Sequence, residues 1–339
     1  MSGPEPPGIQ HRQATILSNR ILADQQGLLR IVVPDLAATA QPGQFVHLLC
    51  HASLTLPRPF SILDANPTTG TLDLLYRVVG QGTAHMATWR TGDAVSLAGP
   101  TGRPFSPIPP ATPVLMLAGG VGLAPLDFLA RRANAAGARV TLLLGTESTP
   151  PFATIPAQHP ISTHLPGATI PDATHPPGAT TQDTALLALR HLEQLGVVSR
   201  LAAGRPTPGF YRGFVTDLAR VILESMDPAS RADVRVLACG PPAMLAATAR
   251  LLKHFNLSGE VSLEARMACG FGGCAGCAVP ILGAGGEMNT GGIVPMPGQG
   301  NEMNHFNEIQ EKSNAWHYKR VCIDGPVFNA AHVAWDHFQ

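Results

Sequence analysis

The sequence predicts a multidomain β plus α/β chain: an N-terminal antiparallel β-barrel, a Rossmann-like parallel-sheet domain and a small C-terminal cysteine-rich domain. Three observations carry this. Residues 14–105 hold short apolar stretches separated by turn residues. After the proline-rich SPIPPATP the pattern changes to strand, helix, strand. Between residues 268 and 280, in ACGFGGCAGCAVP, Cys269, Cys274 and Cys277 crowd among glycine and alanine. A chain of 339 residues is long enough for two or three separate cores.

In the first region, expected over 1–108, LLRIVV, GQFVHLLC, FSILDA, LDLLYRVV and AVSLAGP read as antiparallel strands of a small barrel. In the second, expected over 109–260, PVLMLAGG reads as a short buried strand, PLDFLARRANAAG as a helix and RVTLLLG as a strand. This βαβ unit implies a parallel sheet. VVSRLAA, FVTDLARVILESM and VRVLACG then continue it as strand, helix and strand. Residues 147–182, rich in Pro, Thr, Ala and His, lack helical or strand periodicity and are expected to form an irregular surface insertion. The third region, 261–339, contains a second long insertion between Cys277 and Cys322, spanning about 283–314.

With 23 basic and 23 acidic residues the chain carries no net charge, which offers no electrostatic footprint for nucleic acid or an anionic membrane. The N-terminal MSGPEPPGIQHRQ has no apolar run behind a basic start, so no secretory signal is expected. The longest apolar stretch, PVLMLAGGVGLAP, is broken by glycine and too short to span a bilayer. The expected setting is the cytoplasm. Thiols stay reduced there, so six cysteines point to metal or redox chemistry rather than a disulfide framework.

Cys269, Cys274 and Cys277 have the spacing C-x4-C-x2-C, and Cys322 supplies a distant fourth thiolate, the order of a plant-type [2Fe–2S] site. A loop wrapped around a small anionic core needs tight turns and close backbone N–H groups. Gly270, Gly272, Gly273 and Gly276 permit both. The competing readings are a four-cysteine zinc site, buried free thiols, or two disulfides. Zinc ribbons pair two short knuckles, whereas this chain has a single C-x2-C, so the spacing favours the cluster. Cys50 and Cys239, the other cysteines, fall in the barrel and the βαβ region, which leaves Cys322 as the fourth ligand.

Arg58, Pro59, Phe60 and Ser61 open a strand. The arginine can pair with a phosphate, and Ser61 with nearby backbone groups can hydrogen-bond a flavin ring. Downstream, in LLYRVVGQGTAHMATW, Gly80 and Gly82 form a turn and Thr83 is expected to cap a short helix over 83–89, a place for a pyrophosphate. Each piece alone reads as an ordinary strand start or cap; their order within one β-rich region is what carries weight. LAGGVGLAP then offers Gly120-x-Gly122 between strand and helix, with Pro125 in the first helical turn. ACGPPAML places Cys239, Gly240 and Pro241 at the C-terminal end of a later parallel strand, the edge where ligands of open α/β sheets collect. Cys239 is by default a small buried residue; beside a nicotinamide it would pack on the ring.

A barrel with RPFS, then strand-GGVGLAP-helix, then CGP, resembles the ferredoxin–NADP reductase superfamily. SLEARMACGFGGCAGCAVP followed by VCIDGPVF narrows the resemblance to the electron-transfer subunits of NAD-dependent (type B) dihydroorotate dehydrogenases. The resemblance implies an FAD-binding barrel lined by Arg58, Pro59, Phe60, Ser61, Leu75, Tyr76, Arg77, Gly82 and Thr83. It implies an NAD site at Gly120, Gly122, Cys239, Gly240 and Pro241, and a [2Fe–2S] cluster on Cys269, Cys274, Cys277 and Cys322. It further implies a separate FMN-containing catalytic subunit, in a heterotetramer, that oxidises dihydroorotate in pyrimidine biosynthesis. No substrate-oxidising base stands out in this chain, in keeping with one that only moves electrons. Electron-transfer subunits of a ferredoxin:NADP transhydrogenase, a sulfite reductase or a hydrogenase share these motifs, and a zinc-stabilised binding module is the reading from a different class. The family's fourth cysteine follows after a much shorter hairpin, so the insertion before Cys322 is a departure from its pattern.

Overall fold

The alternation of apolar and polar residues in the N-terminal region closes into a six-stranded antiparallel barrel. A computed structural model describes residues 11–170, 186–282 and 316–337. Strands β1 (His11–Ile21) and β2 (Gln26–Val32), helix α1 (Pro34–Thr39), strands β3 (Phe45–Leu48), β4 (Arg58–Asn66) and β5 (Thr71–Arg77), helix α2 (Gln81–Met86) and strand β6 (Ala94–Thr101) form this unit. The strand order around it is β1-β2-β5-β4-β3-β6. Closure removes every free edge. Leu29, Ile31, Val46, Leu48, Ile62, Leu72 and Leu74 fill its interior.

The parallel sheet follows the βαβ grammar. The region's elements are β7 (Pro113–Gly119), α3 (Leu123–Ala135), β8 (Arg139–Gly145), β9 (Thr154–Pro156), β10 (Leu187–Leu189), α4 (Arg190–Glu193), β11 (Val198–Ala203), β12 (Tyr211–Arg212), α5 (Val215–Ser225), α6 (Pro228–Ala232), β13 (Arg235–Cys239), α7 (Pro242–Phe255) and β14 (Gly259–Ser262), with β9 and β10 forming a small antiparallel sheet of their own. Every residue of β7 is buried, as a central strand covered on both faces requires. Helix α3 takes Pro125 in its first turn, and Gly137 follows its end at φ +88°. The C-terminal region adds an antiparallel hairpin, β15 (Ala278–Leu282) with β16 (Trp316–Arg320), and β17 (Val327–Asn329). β17 pairs antiparallel with β14 and so becomes the edge of the seven-stranded sheet β12-β11-β8-β7-β13-β14-β17.

Two expectations change. Residues 147–170 are not simply a surface excursion: β9 pairs with β10, and Ile161, Leu165 and Ala168 are buried in the main core. Their spacing is helical, hidden among proline and histidine. Residues 171–182, and the expected insertion over 283–314, lie outside the described residues. The short helix α2 begins two residues earlier than expected and stops at Met86 rather than Trp89. Gly80 is its N-cap, and Thr83 sits inside the first turn, where its Oγ1 accepts from the Val79 and Gly80 N–H groups at 2.9 and 3.3 Å.

Barrel and sheet are joined by a half-buried ionic clamp. Arg131 on α3 reaches Asp64 on β4 at 2.8 Å, donates to the Leu63 carbonyl at 2.7 Å, and is steadied by Asp127 at 2.8 Å. His191 closes on the other oxygen of Asp127 at 2.5 Å.

Candidate functional site

The C-terminal ends of the parallel strands open into a cavity of about 1100 Å³. Gly119 ends β7 and Gly120 follows it, Gly145 ends β8 and Thr146 and Glu147 follow it, Ala202 and Ala203 end β11, and Pro241 follows β13. A crevice at this edge is where an open α/β sheet takes ligands. Its floor exists because two glycine motifs meet. β7 and β13 run side by side with Ala118 opposite Cys239. A Cβ on Gly122 would stand 2.4 Å from the Cys239 carbonyl oxygen, and one on Gly240 would stand 2.9 Å from the Gly119 Cα. No side chain fits in either place. Gly120 has φ +54° and open space around it, so its backbone is bare to the cavity.

Of the five residues expected there, Gly120 and Pro241 line the cavity, while Gly122, Cys239 and Gly240 are buried beneath it. Burial pushes the Cys239 thiol above the ordinary cysteine range, so it is a neutral packing group and not a nucleophile. The sequence reading missed the charged rim. Beside Arg77, which the sequence reading did name, Arg205, Arg220 and Arg250 line the cavity together with Glu147, Asp217 and Glu224. Glu147 accepts from the Gly204 N–H at 2.8 Å and pairs with Arg205 at 3.5 Å. Its signal was available: it is the acidic residue just past the end of a parallel strand. The arginines come from separate elements and share no local pattern.

The strand carrying RPFS lies in the barrel next to β3, with Pro59 opposite His47 and Ser61 opposite Phe45. Phe60 points into the barrel core, whereas Pro59 and Ser61 are half-buried on the outer face. Arg58 is half-buried, and its Cγ would be 3.7 Å from a Cβ on Gly82, so the first flavin motif and the start of α2 adjoin. Leu75, Tyr76 and Arg77 alternate along β5. Leu75 packs into the core shared with the parallel sheet, and Arg77 reaches the cavity. Tyr76 is turned the other way: 2 % exposed, it fills the barrel and donates to Asn19 Oδ1 at 3.0 Å.

Cys269, Cys274 and Cys277 stand on one loop leading into β15, and Cys322 lies just past β16, so the hairpin brings the fourth cysteine back to the other three. The thiols fall into two pairs. The Cys274 N–H points at the Cys269 sulfur, and the Cys322 N–H at the Cys277 sulfur. The first pair is half-buried to exposed and the second is buried. Backbone N–H groups point at the sulfurs: Cys274 to Cys269 at 3.4 Å, Gly276 to Cys274 at 3.4 Å, and Cys322 to Cys277 at 3.5 Å. For Cys269, desolvation opposes the thiolate, but the N–H groups of Phe271, Cys274 and Gly273 outweigh it and bring the thiol down to about 7. Burial, with Cys277 alongside, pushes Cys322 up to about 12.

Gly270 and Gly272 have the positive φ expected of this loop, at +76° and +81°, whereas Gly273 and Gly276 are not among its positive-φ residues. Ala275 takes the third left-handed position at φ +52°, a strain of about 1–2 kcal/mol at a place where function concentrates it. Among the described residues, no three His, Cys, Asp or Glu side chains converge to hold a single metal ion. Two adjacent thiol pairs ringed by N–H donors suit a two-metal anionic core better than one tetrahedral ion. The donor set therefore fits a [2Fe–2S] cluster.

No family model matches the chain. It is 29 % identical over 325 residues to the dihydroorotate dehydrogenase B (NAD(+)), electron transfer subunit of Desulforamulus reducens, covering 95 % of this chain and 98 % of that one. The protein of the same name from Shouchella clausii is 31 % identical over 304 residues, covering 87 % and 86 %. Among solved structures, an NADH-dependent reduced ferredoxin-NADP oxidoreductase superposes with a TM-score of 0.66 at 22 % identity, over 96 % of this chain and 91 % of that one. An Amycolatopsis cytochrome P450 reductase follows the same fold with a TM-score of 0.53 at 21 % identity, over 74 % and 67 %.

Proposed function

The chain belongs to the family of dihydroorotate dehydrogenase B (NAD(+)) electron transfer subunits, and from that premise we propose how its residues divide the work. It is an oxidoreductase component that carries electrons toward NAD+, with FAD and a [2Fe–2S] cluster as resident groups. FAD, when bound, can exchange either a hydride or single electrons, and so matches a two-electron nicotinamide to a one-electron cluster.

Pro59 and Ser61, on the outer face of the barrel, and Arg58 beside Gly82 are the groups offered to the flavin and its phosphates. Gly82 and Thr83 shape the turn that would take the pyrophosphate, and Leu75 and Arg77 flank it. Tyr76 supports this surface from inside. The bare backbone at Gly120 and the Gly240–Pro241 turn form the nicotinamide floor, with neutral Cys239 packed under it. Arg205, Arg220 and Arg250 supply positive charge for the dinucleotide phosphates. Cys269, Cys274, Cys277 and Cys322 hold the cluster. Phe271, 60 % exposed on the cysteine loop, and Tyr318, 63 % exposed on β16, give this end an apolar surface for a partner.

That partner is the catalytic subunit, which carries FMN and completes a heterotetramer. Dihydroorotate loses two electrons and two protons there to give orotate. The cluster held by the four cysteines would supply one-electron transfer and FAD the hydride chemistry, so that NAD+ takes both electrons with one proton while the second proton goes to solvent. The barrel of residues 1–108, the NAD region 109–260 and the cluster region 261–339 are the three units of this path. Among the described residues, no helix is long and apolar enough to cross a membrane, and the proposed setting is the cytoplasm.

The observation that carries this reading is the gathering of four thiols at the C-terminal hairpin of a chain whose parallel sheet opens the nucleotide cavity. Iron, acid-labile sulfide and flavin analysis of the purified chain tests it. Two irons, two sulfides and one FAD per chain are expected; zinc without sulfide would refute it.

A further inference from the structure

Strand β3 reads Phe45-Val46-His47-Leu48, and a period of two sends alternate side chains to opposite faces. Val46 and Leu48 point into the barrel and pack with Phe60 and Ile62. Phe45 points out of it and shares a core with Cys277, Val321 and Cys322. His47 follows Phe45 onto the outer face, its ring edge-on to Phe45 at 5.2 Å between centroids. Two neighbours then define its position. In register, His47 lies opposite Pro59 of the RPFS strand. In space, its ring is seated against Gly270, the residue after Cys269: a Cβ there would be 2.4 Å from Cε1 and 2.7 Å from Nε2. The ring thus fills the gap between the flavin strand and the cysteine loop, and Gly270 has no side chain because that gap is full.

The imidazole is an expensive filler. His47 is 3 % exposed, and its Nε2 is buried with no hydrogen-bond partner among the described residues. Such a group carries a desolvation penalty that a leucine of similar size would not. Each unsatisfied buried polar atom in a core asks for a use.

We infer that His47 is a positioning residue that seats the cysteine loop on the flavin strand and keeps the gap between FAD and the cluster short and dry. This rests on the function proposed above. Solvent access and local packing set a cluster's potential, and electron transfer depends steeply on separation. Removing the ring would let the loop shift and admit water, which favours the more negative reduced cluster.

The test uses the full chain with FAD and cluster loaded, in wild type, His47→Ala, Gly270→Ala and Val46→Ala. The last removes a neighbouring core side chain from the barrel's inner face. Two readouts are taken: the cluster's midpoint potential by spectroelectrochemical titration, and the rate of flavin-to-cluster transfer after mixing with NADH. His47→Ala is expected to move the potential upward and slow the transfer by about tenfold or more, as sub-ångström misplacement does elsewhere. Gly270→Ala should slow it likewise, by pushing the loop off the ring. Val46→Ala should lower stability and leave both readouts unchanged. Should His47→Ala not fold, His47→Gln, which keeps most of the volume, is expected to fall between it and wild type. Loaded His47 and Gly270 variants with wild-type potential and rate overturn the inference, as does a Val46→Ala shift of equal size. A wild-type chain that binds no FAD or no cluster would instead sink the proposed function itself.

Discussion

Gly122→Ala puts the floor of the nucleotide cavity to a direct test. A methyl at this position would lie 2.4 Å from the Cys239 carbonyl oxygen, 2.6 Å from its carbonyl carbon and 2.8 Å from the Gly240 nitrogen. Carbon–oxygen contacts in packed proteins close at about 3.3–3.6 Å, so the Gly120–Gly122 turn and the end of β13 must part by roughly 1 Å. All three atoms belong to backbone, and no rotamer change can absorb the displacement. Overpacking of this kind costs about 1–3 kcal/mol. The displaced strand end carries Cys239, Gly240 and Pro241, and a 1 Å misplacement of a positioning element costs about a hundredfold in rate. The assay is kcat/KM for NADH with an artificial one-electron acceptor, beside a urea unfolding curve. Gly137→Ala is the comparison: its φ of +88° also penalises a side chain, but it caps α3 far from the cavity lining. Similar losses of stability are expected from both, with a loss of about two orders of magnitude in kcat/KM only in Gly122→Ala. Wild-type kcat/KM in Gly122→Ala, or an equal fall in both variants, would refute the reasoning.

Three further outcomes follow from the same geometry. Glu147→Gln removes the rim carboxylate that would accept from the ribose hydroxyls and frees Arg205 for a 2′-phosphate; kcat/KM should fall about tenfold for NADH and rise for NADPH, measured side by side. Asp127→Ala removes the buried carboxylate shared by Arg131 and His191 while Asp64 still pairs with Arg131, and the urea midpoint should record a loss of about 1–3 kcal/mol. Asp64→Ala, at the more exposed end of the same clamp, should cost only about 1 kcal/mol. Cys322→Ala should abolish iron and acid-labile sulfide while FAD content stays at one per chain, because the barrel's flavin surface and the hairpin are separate elements.

Much of the fold is written in local pattern. The all-apolar β7, the glycine after α3 and the short apolar runs of β2, β3 and β5 each specify an element without reference to the rest of the chain. The elements that escape are those decided by distant partners. β17 has only three residues, and what makes it a strand is the free edge of β14. Ile161, Leu165 and Ala168 are core residues in a stretch whose prolines and histidines mask their spacing. Thr83 looks like a cap, yet its hydroxyl serves the turn from inside the helix, because Gly80 leaves two N–H groups to be satisfied.

The site divides the same way. Cysteine spacing and glycine motifs are sequence-local and were legible, as was the meeting of GGVG with CGP at one sheet edge. Tyr76 shows the limit, since only the barrel's register decides that it faces inward while Leu75 and Arg77 face out. Ala275 shows another: positive φ was sought at glycines, but the loop's closure imposes it on an alanine. The arginine rim and His47 belong to no motif, and only the fold brings them to their places.

The central claim is that this chain carries electrons from dihydroorotate to NAD+ on behalf of a partner. The most direct measurement is NADH formation from dihydroorotate by the chain co-purified with its cognate catalytic subunit, with both flavins and the cluster loaded. Dihydroorotate-dependent NADH formation, present in the complex and absent from either subunit alone, is the result predicted. A fully loaded complex that oxidises dihydroorotate with an artificial acceptor but forms no NADH would contradict it.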